Sequence, residues 1–138
     1  MIDIAPLLNK LKTDVEGLAT IGGVRIGQGD LTKLEPVACE IQPDVAVYDW
    51  RAAGSDDTLT ELIVKVTLYT YYKQEDPEAQ MDKLLAVHKA FIELFTGAYQ
   101  NALTVADQII PIGSEFAYER DSSRFYVAIE TTLQCGWE

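Results

Sequence analysis

The chain has little with which to build a reactive centre. It carries one histidine, His88, and two cysteines, Cys39 and Cys135, in 138 residues. Common zinc and iron sites need several histidines or closely spaced thiolates, so this inventory argues against a metal. A serine or cysteine triad would have to use His88 as its base. The two cysteines form no CxxC pair, and two buried free thiols in a reducing cytoplasm are the expectation rather than a disulfide. Basic charge is also scarce, with 11 Lys plus Arg against 22 Asp plus Glu and a formal net charge of −11. The lysines and arginines are scattered singly, so the basic face required for nucleic-acid binding is missing. Acidity on this scale keeps a protein soluble, repels a phosphate backbone and suits a basic partner. No apolar run approaches the ~20 residues of a membrane span. The start, Met1-Ile2-Asp3-Ile4-Ala5-Pro6, has neither the basic n-region nor the apolar core of a signal peptide. Repeats and low-complexity stretches are absent.

What is present is an ordinary globular composition, 48% hydrophobic and 24% charged, which favours one folded domain with a true core. The richest segment is Thr60 to Phe95. Thr60–Tyr72 alternates as a strand, with Leu62, Val64, Val66 and Leu68 on a core face and Ile63, Lys65, Thr67, Tyr69 and Tyr71 on the other. The charged turn Gln74-Glu75-Asp76-Pro77 follows. Asp76 is placed to cap the next helix, Pro77 suits its first position, and Glu78 favours its positive dipole end. Met81, Leu84, Leu85, His88, Phe91, Ile92 and Phe95 make its apolar stripe, and Gly97 reads as a left-handed stop.

Elsewhere the punctuation is weaker. Asp3 to Leu18 reads as a helix capped by Asp3, with a stripe of Ile4, Leu7, Leu8, Leu11, Val15 and Leu18. Gly22-Gly23 marks a break before a short strand, Val24–Ile26. Val37–Ile41 and Val45–Trp50 read as separate strands divided by Pro43. Gln108–Ile112 and Ser114–Glu119 read as two more, with a turn over Glu119–Ser123. Arg124–Cys135 alternates cleanly, setting Phe125, Val127, Ile129, Thr131 and Leu133 against Tyr126, Ala128, Glu130, Thr132 and Gln134. The expected fold is a single α+β domain, residues 1–138, with a mainly antiparallel sheet and two principal helices packed on one face.

Functional motifs are largely missing. Gly22 to Asp30 is glycine-rich but lacks GxxxxGK[ST] and the strand–helix setting of GxGxxG. Gly113-Ser114-Glu115 lacks the second glycine of a nucleophile elbow. His88 lies on an apolar stripe and reads as a structural side chain. Carboxylates cluster at Asp56-Asp57 and at Glu75-Asp76 with Glu78, yet no calcium ladder of alternating ligands appears. Catalytic, cofactor and metal sites are therefore not expected. Tyr69, Tyr71, Tyr72 and Tyr126 lie on or near strand faces that are not pure core, and tyrosine is favoured at interfaces for its area and polar tip.

The layout is more telling than any motif. An N-terminal helix leads through short strands to the long strand Leu59–Tyr72, an acidic turn, the helix Pro77–Gly97, and a final alternating strand, Arg124–Gly136. This order resembles the tail terminator and tail-completion proteins of long-tailed bacteriophages and related prophages. The resemblance rests on order, length and acidity over nearly the whole chain. It implies a non-enzymatic homo-oligomeric ring, usually of six copies. Such a ring caps the tail tube and presents a surface to the head connector, with DNA only as passing cargo. It implies assembly in the host bacterial cytoplasm and a place at the tail–head junction of the virion, with no membrane partner. Lys65, Thr67, Tyr69, Tyr71, Tyr126, Glu130 and Thr132 are the candidate subunit contacts. Asp56, Asp57, Glu75 and Asp76 are candidates for an acidic lumen or partner rim. Rival readings are another head–tail joining protein, or a small α+β enzyme or ligand-binding domain with a polar pocket. The loops Gly27–Leu34 and Arg51–Asp57 are candidates for ordering on a partner.

Overall fold

The computed structural model describes residues 3–27, 36–49, 59–72, 77–120 and 125–137. In chain order the elements are α1 (Ala5–Glu16), β1 (Ile21–Ile26), β2 (Val37–Tyr48), β3 (Leu59–Tyr72), α2 (Pro77–Ile92), α3 (Gly97–Ala102), β4 (Gln108–Arg120) and β5 (Phe125–Gly136). The five strands form one sheet in the order β1-β2-β3-β5-β4. The class is α+β, as expected. The sheet, however, is mixed where a mainly antiparallel one was expected, because β1 runs parallel to β2. The β2–β3, β3–β5 and β4–β5 pairs are antiparallel.

Alternation decides the faces. Leu62, Val64, Val66 and Leu68 of β3 are buried, as are Val37, Cys39 and Ile41 of β2 and Val127, Ile129, Leu133 and Cys135 of β5. The register puts Cys39 opposite Leu68 and Ile129 opposite Leu68 on its other side, so these rows share one face. Leu7, Leu8, Leu11 and Val15 of α1 and Leu84, Val87 and Phe91 of α2 pack into the same cluster. Full burial of a side chain the size of Phe91 contributes roughly 2–3 kcal/mol. On α2 Leu84 and Phe91 are buried as expected, but Val87 joins the buried stripe and Leu85, expected on it, is exposed.

Several boundaries differ from expectation for local reasons. Ile4, not Asp3, occupies the N-cap of α1, while Asp3 Oδ1 accepts a bond from the Ala5 N–H at 3.0 Å. The chain breaks after α1 at Gly17 to Thr20 rather than at Gly22-Gly23. Thr20 takes a left-handed φ of 75°, and both glycines lie inside β1, where the register slips between Ile21 and Gly23. The two short strands around Pro43 are one strand, β2, with a slip between Pro43 and Val45. β1 ends its pairing at Ile41, so Pro43 sits where β2 is itself an edge and no ladder donor is lost. In the same way, Gln108–Ile112 and Ser114–Glu119 are one strand, β4, with a slip between Pro111 and Gly113. β4 continues to Arg120, through the start of the turn expected there.

Gly97 does not stop a helix; it begins one. Thr96 is the N-cap of α3, its side chain accepting from the Tyr99 N–H at 3.2 Å. Asp76, the expected cap of α2, lies outside the described residues.

Candidate assembly surface

α1 and α2 pack on one face of the sheet, and among the described residues no helix covers the other. That open face is built from the outward positions of the strands. Lys65 pairs with Thr132, Thr67 with Glu130, Tyr69 with Ala128 and Tyr71 with Tyr126 across β3 and β5. The sequence candidates Lys65, Thr67, Tyr69, Tyr71, Tyr126, Glu130 and Thr132 therefore lie together on the two strands β3 and β5, inside the sheet rather than at its rim. Lys65 Nζ bonds Thr132 Oγ1 at 2.9 Å and lies 3.4 Å from Glu130 Oε1. Both partners of that ion pair are about a third exposed or more, so its contribution is small, in the range of about 0–1 kcal/mol. Asp56, Asp57, Glu75 and Asp76 lie outside the described residues, as do most of the two candidate loops.

The open face is polar but well filled. Glu40 and Thr67 are buried there, and Gln42 Nε2 donates to Glu40 Oε1 at 2.7 Å. The register carries one row across all the strands: Arg25, Glu40, Thr67, Glu130 and Glu115. The row has a cation at the β1 edge and carboxylates toward the β4 edge.

β4 is where the surface is most apolar. Ile112, Phe116 and Tyr118 are 56%, 49% and 65% exposed. Phe116 and Tyr118 pair with Ile129 and Val127, so they project on the helix side, where the helical layer covers the edge strand only in part. A strand over Ser114–Glu119 was expected from the sequence. Its position as an outer strand was not.

Among the described residues no constellation for catalysis is assembled. His88 Nε2 lies 3.1 Å from Ser114 Oγ, which lies 2.9 Å from Thr131 Oγ1. Serine and imidazole are thus in contact, but among the described residues no carboxylate bonds the other ring nitrogen, as a triad requires. The ring also meets Phe116 edge-on, with centroids 6.3 Å apart. The contact ties α2 to β4. Cys39 and Cys135 are buried and free, and burial pushes both thiols above their ordinary value, Cys135 to about 12. They are held as neutral thiols, unsuited to nucleophilic attack.

A shallow cavity of about 170 Å³ lies where Thr60, Glu61, Asp107 and Gln134 meet. It is below the ~300–1,000 Å³ of typical small-molecule sites. Among the described residues no group of three His, Cys, Asp or Glu side chains converges as metal ligands, and no helix is long and apolar enough to cross a membrane.

No family model matches this sequence, and no curated protein matches it. The surface must therefore be read from its own chemistry: an open, mixed-charge sheet face bordered by one apolar edge strand.

Proposed function

We propose that this chain is a structural assembly protein that works as a ring of identical copies, of the kind that terminates a phage or prophage tail tube and meets the head. The observation that carries this reading is the one-sided sheet. The helices cover a single face and leave Lys65, Tyr69, Glu130 and Thr132 on a broad surface around the buried Thr67. Such a surface suits a flat protein partner, with tyrosines for area and polar groups to fix orientation. The net charge of −11 fits a channel wall that lets DNA pass without holding it.

The test is the absolute mass in solution, by light scattering after size exclusion over a range of protein and salt concentrations. A concentration-dependent species near six copies supports the ring. Electron microscopy of tail tubes then distinguishes a tube terminator, seated at tube ends, from a joining protein that binds only the head connector. A strict monomer at every concentration, with no seating on tubes, overturns the reading.

A further inference from the structure

The sheet has two outer strands, and they match. β1 and β4 stand at opposite edges of the order β1-β2-β3-β5-β4. Following the pairings from β1, the strands run up, up, down, up and down, so β4 is antiparallel to β1. In a ring whose axis follows the strands, every copy keeps the same polarity. The β1 of one copy then meets the β4 of the next in the antiparallel sense. Unpaired strand edges are ready templates for such addition.

Charge and shape select this joint over the alternatives. Arg25 of β1 and Glu115 of β4 are both exposed and both project on the open face. Setting Arg25 opposite Glu115 aligns Ile21–Ile26 with Ser114–Glu119, past the register slip in β4. Val24 then falls opposite Phe116 on the helix side. α1 packs over β1, so it travels with that strand and arrives above the partly exposed ledge of Phe116 and Tyr118. A symmetric pairing of β4 with a second β4 would instead bring two Glu115 carboxylates near each other in an already acidic molecule.

We infer that copies of this chain join edge to edge, β1 of one against Ser114–Glu119 of the next, with Arg25 paired to Glu115 and α1 covering Phe116 and Tyr118. The inference rests on the ring reading and names its joint. A head-to-tail contact of this kind closes a ring when the rotation between copies closes.

Charge exchange tests it. Arg25→Glu and Glu115→Arg, each alone, are expected to weaken assembly at least tenfold by light scattering. Mixed in equal amounts, they restore it, because each altered edge then faces an opposite charge. The double variant restores it too. As a check independent of folding cost at Glu40, Arg25→Cys and Glu115→Cys on separate copies are expected to give a covalent heterodimer under mild oxidation. Rings that persist unchanged in both single variants, or copies that never cross-link, overturn this joint and leave the ring reading standing. A wild type that stays monomeric at every concentration and does not seat on tail tubes overturns both.

Discussion

Thr20 shows how one residue can be at odds with its position. Its φ of 75° is left-handed, which costs an L-residue about 1–2 kcal/mol. Glycine adopts it freely but loses more entropy on folding. Thr20→Gly is therefore expected to stabilise the fold by up to about 1 kcal/mol, read as a higher denaturant midpoint at unchanged slope. The sequence drew attention to Gly22-Gly23 as the break, because glycine is the usual mark of a turn. The turn instead falls on a threonine, which carries no such mark. His88 gives a second residue-scale expectation. Burial lowers its pKa from 6.5, so the folded chain prefers the neutral ring. Its contribution to stability is complete above pH ~6.5 and is lost as pH falls through the unfolded and then the folded value. Comparing thermal melts from pH 7.5 to 5 for wild type and His88→Gln isolates that slope, which is expected to shrink in the variant.

Among elements, the short α3 is held mainly by side chains. Gln100 grips β4 twice, its Nε2 donating to the Ile109 carbonyl at 2.7 Å and its Oε1 accepting from the Ile109 N–H at 2.8 Å. Tyr99 donates its hydroxyl to Asp14 Oδ2 at 2.7 Å, and Lys10 sits over the same ring. Burial, then the Asp14 contact, keeps that phenol protonated. α3 thus links α1 to the start of β4. Removing both bonds at once leaves part-buried backbone groups without partners, so Gln100→Ala is expected to cost about 1–3 kcal/mol by chemical denaturation. Phe91→Ala, which empties a fully buried ring site, is expected to cost about 3–5 kcal/mol. The Phe91 role was legible from helical spacing. α3 was not, because six residues carry too little periodicity and Gly97 resembles a stop.

For the molecule as a whole, the open sheet face and its two edges make different predictions about assembly. Lys65→Glu sets a new carboxylate near Glu130 on the open face. If that face packs against a neighbour or the tube, the change is expected to lower the assembled fraction severalfold in light scattering, with only a small loss of monomer stability. An unaltered oligomer would remove the face from the contact and leave the edges as the joint.

The sequence alone determined which side of each long element is buried. Alternation in β3 and β5 and the stripes of α1 and α2 are local properties, and the core had to form where those apolar sides could meet. It also bounded the chemistry through its single histidine and its acidity. Tertiary structure alone decided which strands are neighbours. The alternation of β4 would read the same in an inner strand, and nothing local to β1 requires it to lie parallel to β2. Strand order, the contact of His88 with Ser114, and the exposure of Phe116 and Tyr118 all depend on pairings between residues distant in the chain. Those pairings are set by how the whole sheet closes its core, and that choice left β1 and β4 as its edges.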